Sequence, residues 1–238
     1  MFPNQGARSV LGITKRSLTC LVGSLLLVVL AWGADKSKDE ETLRNASTVL
    51  GAMLESNSVP SDLLAKADCV VVLPGVKKFG FGVGGSGGRG PMSCRGGKDF
   101  TGQWSAPAMY SISSASVGLQ IGGSSTDFVL LVMTQKGVDA LLQGKTTLGS
   151  TASAAAGPSG ATTTSIGTDI LTYGRAKGLF AGASLGGGAL EADNDANQRL
   201  YDKPVTAKDI LMESSIQATP GGRGFVSLLN SKVPKHSA

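Results

Sequence analysis

Apolar residues Leu43, Ala46, Val49, Leu50, Met53 and Leu54 recur at three- and four-residue intervals, which predicts an amphipathic helix over 36–55. Asp39, Glu40 and Glu41 near its start suit the positive end of a helix dipole. A short helix over SDLLAKA follows, with Ser61 in the N-cap position. The period then changes. CVVVL, FGFGV, VGLQI and DFVLLVMT are short apolar or alternating runs divided by glycine, and they read as strands. Lys136 to Gln143 predicts a short helix and TDILTYGR a strand. LFAGASLGGGALEA is extended chain in which Leu179, Ala181, Ala183 and Leu185 alternate. DANQRLY and TAKDIL are helical segments that close the pattern.

Two regions lack a clear period. TTLGSTASAAAGPSGATTTSIGTD is too long for a bare loop inside one compact domain, so it reads as small-side-chain strands around a loop at 157–160. The segment 214–238 carries glycines and prolines without periodicity and reads as a loose tail. Helices, then many strands, then helices, with no regular β-α-β alternation, predict an α+β fold. Its sheet is largely antiparallel, strongly curved or a partial barrel, with helices at the N- and C-terminal ends.

The first residues change the domain count. Lys15 and Arg16 precede LTCLVGSLLLVVLAW, an uncharged run, and Ala31 and Gly33 supply small residues after it. That order describes a secretory signal peptide over 1–33, with an N-terminal membrane anchor as the alternative. The domain then occupies 34–213, and the chain is expected in the periplasm or outside the cell. Removing 1–33 takes Arg8, Lys15 and Arg16 from the 22 basic residues and leaves 19 against 17 acids. So small an excess gives no reason to expect nucleic acid as a partner. Cys69 and Cys94 remain. They either pair in an oxidising compartment or stand apart as buried thiols, and spacing does not decide between these.

Motifs for chemistry fail one by one. GVGGSG fits G-x-G-x-x-G through Gly82, Gly84 and Gly87, but GRGPMSCRGGKDF follows it and opens no helix to face a pyrophosphate. GKT at 144–146 has Asp139 where a phosphate-binding loop needs glycine. The single histidine is His236, in the tail, so no Ser-His-Asp or Cys-His set forms within the domain. Glu191, Asp193 and Asp195 lack the calcium-loop spacing and read as a turn that caps a helix. Asp127 with Asp169 or Glu191 is the remaining carboxylate pair to be tested against structure. No cofactor and no enzyme class is expected. What remains is a cationic group around the glycines: Lys77, Lys78, Arg89, Arg95 and Lys98. Exposed backbone N–H groups beside cations suit anions.

The ordered stretches AKADCVVVLPGVKKFGFGVGGSGGRG, WSAP, GLQIGGSSTDFVLL, GKTTLGSTASAAAGPSG, AKGLFAGASLGGGALEADNDANQRLY and TAKDIL together resemble the SYLF domain family, from about Leu43 to Leu211. The resemblance implies a non-enzymatic, lipid-binding module. In eukaryotic members the ligand is notably a phosphoinositide, and some fungal members bind actin. Combined with an export leader, it points to anionic envelope phospholipid held by the five cations, with an envelope protein as the alternative partner. The leader speaks against actin.

Overall fold

Two very long strands organise the molecule. In this computed structural model, which describes residues 15–144, 146–148, 169–176, 179–183, 185 and 188–236 (backbone alone for 15–34, 81–83, 116–121 and 176), β1 spans Cys69–Cys94 and β2 spans Ala108–Val132. CVVVL and FGFGV, expected as separate strands, are one strand; so are VGLQI and DFVLLVMT. β1 and β2 pair antiparallel from Cys69↔Val132 to Met92↔Ala108.

The register slips twice along this ladder, between Leu73 and Val76 and between Phe81 and Val83. The first slip is an extra residue on β1, with Gly75 at φ +59° donating its N–H to Asp127 Oδ1 at 2.8 Å. A bulge bends its strand and re-aims the side chains beyond it. β1 consequently doubles back, and its two halves approach each other. A Cβ on Gly88 would lie 2.8 Å from Val76, and one on Gly90 only 1.9 Å from the Val72 carbonyl oxygen. The curved, antiparallel sheet expected of an α+β chain is present.

The remaining strands are short. β3 (Thr146–Thr147) and β6 (Ala189–Ala192) extend the sheet beside the first part of β2; β4 (Ile170–Ala176) and β5 (Leu179–Gly182) extend it beside the last part. Val70 and Val72 face one core cluster and Val71 and Leu73 another, which is why CVVVL reads as continuously apolar rather than alternating. The first cluster lies under helices α1 (Lys15–Glu55), α2 (Ser61–Lys66) and α6 (Arg223–Lys232). The second fills the inside of the curl, closed by α3 (Gln135–Leu142) and α5 (Ala207–Met212). Helix α4 (Asn194–Tyr201) packs Ala196 and Leu200 against Leu43 of α1 and Met109 of β2.

Two sequence expectations need correction, and one open alternative is decided. Ser61 is the first residue of α2 rather than its cap, a place taken by Pro60. The segment 214–238 is not a loose tail over its described part. It contains α6, whose Phe225 and Leu229 are fully buried with Leu50 and Met53 of α1. Only those two residues of α6 are buried, with Leu228 partly buried beside them, so the periodic signal is too short to read. Cys69 and Cys94, left open by sequence, are joined as a disulfide between the first and last residues of β1, with Cα atoms 4.0 Å apart. The leader expected over 1–33 lies outside the described residues over 1–14 and is described from Lys15 as helical backbone alone; the loop at 157–160 lies outside them too.

Candidate cationic site at the bend of the sheet

The five cations of the glycine segment separate into two kinds. Lys77 and Lys78 follow the bulge, and consecutive strand residues point to opposite faces. Both are exposed. Lys78 Nζ lies 5.9 Å from the Phe128 ring centroid, a cation–π contact on the inner face of the sheet. Lys77 points to the other face, where it lines a cleft of about 320 Å³ between α1 and β1 with Thr42, Asn45, Gly87, Gly88 and Arg89. Small residues keep this cleft open. Among the described residues neither lysine has an ion-pair partner.

Phe79 stands beside them, 67% exposed, with Ser124 and Ser125 of β2 across a shallow depression of about 390 Å³. The alternation in FGFGV puts Phe79 on one face of the strand and Gly80 on the other, a pattern that does not by itself mark Phe79 as part of a site. Its exposure follows from position: it pairs with Gly123, and the core clusters stop short of the bend.

Arg89 is committed elsewhere. Its Nη2 donates to Asp39 Oδ1 at 2.8 Å and its Nε to Asp193 Oδ2 at 2.8 Å. Asp39, fully buried, also accepts from Arg199 Nε at 3.0 Å, and Asp193 accepts the Ala196 N–H as N-cap of α4. Two carboxylates and two guanidiniums thus tie α1, β1 and α4 together. Lys36 with Asp202, and Glu40 with the Gly221 N–H, extend the same fastening. The sequence set Asp39 and Glu40 near a helix start, but α1 already begins at Lys15, so these mid-helix acids do not serve its dipole; they dock the helix.

Arg95 is withdrawn from the surface. It is 4% exposed, lies 4.5 Å over Trp104, and donates to the carbonyls of Ala67, Leu64 and Pro234 at 3.1, 3.4 and 2.6 Å. Burial lowers its pKa, and Asp68 beside it opposes that shift. Asp68 in turn is pushed up by its own burial, against the pull of His236 and Arg95. An arginine spent on the end of α2 and on the C-terminal segment cannot reach a headgroup. Lys98 is exposed on a single 3-10 turn, Lys98–Phe100, after the end of β1 and apart from the bend. Of the five, Lys77 and Lys78 are the two at the bend that carry no ion pair among the described residues.

The carboxylates do not combine. Asp127 accepts from Gly75 and pairs with Arg175, while Asp169 accepts from Thr134 Oγ1 and pairs with Lys136. Glu191 sits on β6 opposite Ser111, at the far end of β2 from Asp127. Among the described residues no group of three metal-ligating side chains occurs.

Comparison with known proteins gives one consistent answer. A family model described as "Ysc84: Las17-binding protein actin regulator" matches residues 113–232. LAS seventeen-binding protein 3 of Saccharomyces cerevisiae is 34% identical over 213 residues, covering 83% of this chain and 45% of its own length. The SH3 domain-containing protein PJ696.02 of Schizosaccharomyces pombe is 35% identical over 183 residues, 74% of this chain and 41% of that one. SH3 domain-containing YSC84-like protein 1 of Homo sapiens is 30% identical over 184 residues, 75% of this chain and 53% of that one. The chain spans only about half of these relatives. No solved structure matches it. These names overturn the expectation that speaks against actin. It rested on the leader at 1–33, whereas the match lies in the domain, and the matching family is described as an actin regulator.

Proposed function

The chain belongs to the Ysc84 (SYLF) family, and from that premise we propose that it is a non-enzymatic module that binds anionic phospholipid at a membrane surface. The observation that carries this reading is the pair Lys77 and Lys78, exposed at the bend with no carboxylate on either among the described residues. Nearby cations that could have joined them are occupied by Asp39, Asp193 and backbone carbonyls. A lysine near an anionic surface contributes roughly 1 kcal/mol, screened by salt. Two lysines on opposite faces of one strand both reach a surface that the bend approaches end-on. Export to the periplasm or beyond belongs to the same proposal, since a leader at 1–33 would bring the domain among envelope lipids.

Flotation with anionic and neutral liposomes at two salt concentrations tests it. The chain should float with anionic vesicles, and less so at high salt. Equal, salt-insensitive failure with both compositions would sink the reading.

A second reading has a specific support, the description of the family as Las17-binding actin regulators and the printed name of the yeast relative. Here the domain contacts actin filaments or a protein that organises them. Co-sedimentation of the delipidated chain with actin filaments separates the two: pelleting without lipid favours the second, and a chain that stays in the supernatant with filaments yet floats with vesicles favours the first.

A further inference from the structure

The described part of the molecule exposes three large apolar side chains: Phe79 at 67%, Leu179 at 63% and Met212 at 43%. Single exposed hydrophobics are ordinary on a soluble surface. The position of the first two is not. β1 passes its bulge and reaches Phe79 opposite Gly123, beyond Val76, the last core residue before the bend. β4 starts at Ile170 opposite Val132, reaches Gly174 opposite Phe128, and so runs toward the same end of the sheet. Leu179 pairs with Ala176 where β5 begins, at that end. Phe79 and Leu179 therefore occupy one tip of the sheet.

They also occupy its two faces. Phe180 is buried with Val129 and Tyr173, so Leu179 points to the opposite side, the side on which Lys78 meets Phe128. Phe79, next to Lys78, shares its face with Lys77. Each face thus ends in one exposed apolar side chain and one lysine. Arg175, on the Phe79 face, adds a partly exposed cation held by Asp127. A partner that binds one face would leave half of this arrangement unused. A medium that surrounds the tip uses all of it: anionic and polar at its boundary, apolar within.

We propose that the tip enters a bilayer end-on, with Phe79 and Leu179 below the headgroups and Lys77 and Lys78 at their level. The occupant is an anionic lipid membrane, and the inference rests on the membrane-binding reading above. Lysine stems suit this depth, because they run along apolar surroundings while the ammonium stays wet. Binding then has two components. One is electrostatic and screened by salt; the other is apolar and survives it.

The test is Phe79→Trp, with the parental chain and its own tryptophan fluorescence, Trp104 within the domain, as the baseline. The probe is a vesicle of anionic phospholipid carrying bromine on the acyl chains, a contact quencher of tryptophan. Insertion predicts quenching beyond the parental value. A chain that co-sediments with the vesicles and shows no added quenching overturns insertion while leaving surface binding intact. Failure to co-sediment removes the membrane-binding reading and the inference with it. In parallel, Phe79→Ser and Leu179→Ser should each weaken binding at high salt roughly tenfold, given the value of burying one large apolar side chain. Both variants should keep the parental unfolding midpoint, since neither side chain touches the core. Unchanged high-salt binding in both also overturns the proposal.

Discussion

Val72 and Gly90 belong to the same strand, yet the carbonyl oxygen of Val72 stands 1.9 Å from where a Cβ on Gly90 would be. This contact fixes how far β1 doubles back, and therefore where the bend with Lys77, Lys78 and Phe79 lies. Gly90→Ala cannot be absorbed by moving a side chain, because the opposing atom is backbone. It should cost on the order of 3 kcal/mol, as severe overpacking does. Gly87→Ala is the control: its Cβ would meet the Ile112 carbonyl at 3.8 Å, an ordinary contact. Denaturant unfolding of both variants should show a large loss for the first and a change within about 1 kcal/mol for the second.

The disulfide joins the two ends of that doubled strand. Cys69 and Cys94 are separated by 25 residues, and closing such a loop in the unfolded chain stabilises the fold by roughly 3 to 4 kcal/mol. Unfolding and refolding in reductant should lower the denaturant midpoint accordingly. An unchanged midpoint in chains whose thiols titrate as free would count against the bond's role.

Which of these features the sequence discloses follows from how local each one is. The 36–55 part of helix α1 and the buried run CVVVL are legible because their period or their continuity is written in adjacent residues. The joining of FGFGV to CVVVL is not, because PG reads locally as a break; Asp127, far along the chain, turns it into a bulge by accepting from Gly75. The same holds for the site. Five cations near one glycine segment look equivalent in sequence. Asp39, Asp193 and the carbonyls of Ala67 and Pro234 divide them, and all of these come from other elements. Phe79 is visible as a residue but its exposure is a property of where the core ends.

The buried network gives an ordered series. Asp39 is fully buried and receives both Arg89 and Arg199, so Asp39→Ala leaves two guanidiniums facing a lost partner. A loss of about 3 kcal/mol is expected, within the range for breaking a buried pair. Arg89→Met should cost less, because Arg199 still holds Asp39 and the Arg89 side chain is 37% exposed. Equal losses in a thermal or denaturant unfolding comparison would contradict the geometry.

Two carboxylates should move acid stability in opposite senses. At the start of α5, Asp209 accepts from the backbone and side chain of Thr206, and these bonds hold its pKa below 3.8. Its contribution is present above 3.8 and is lost as pH falls through the folded value. Asp68 is raised by burial, so it penalises the folded state increasingly as pH rises from 3.8 through its own folded value. Asp209→Asn should flatten the loss of stability on acidification below 3.8. Asp68→Asn should remove the opposing slope above it. Unfolding midpoints measured across that range would reveal each change separately.

Binding and folding should separate cleanly between neighbouring cations. Lys77 and Lys78 touch no carboxylate among the described residues, so Lys77→Gln with Lys78→Gln should leave the unfolding midpoint unchanged. If each contributes about 1 kcal/mol at an anionic surface, vesicle affinity falls by roughly thirtyfold at low salt. Arg89→Gln should do the reverse. Its guanidinium, though partly exposed, is paired with Asp39 and Asp193, so stability falls while vesicle affinity at a temperature where the chain remains folded changes little. The two variants remove neighbouring positive charge on one strand. A binding loss in Arg89→Gln comparable to that of the double lysine variant would mean that general basicity of the surface, and not the free pair at the bend, attracts the membrane.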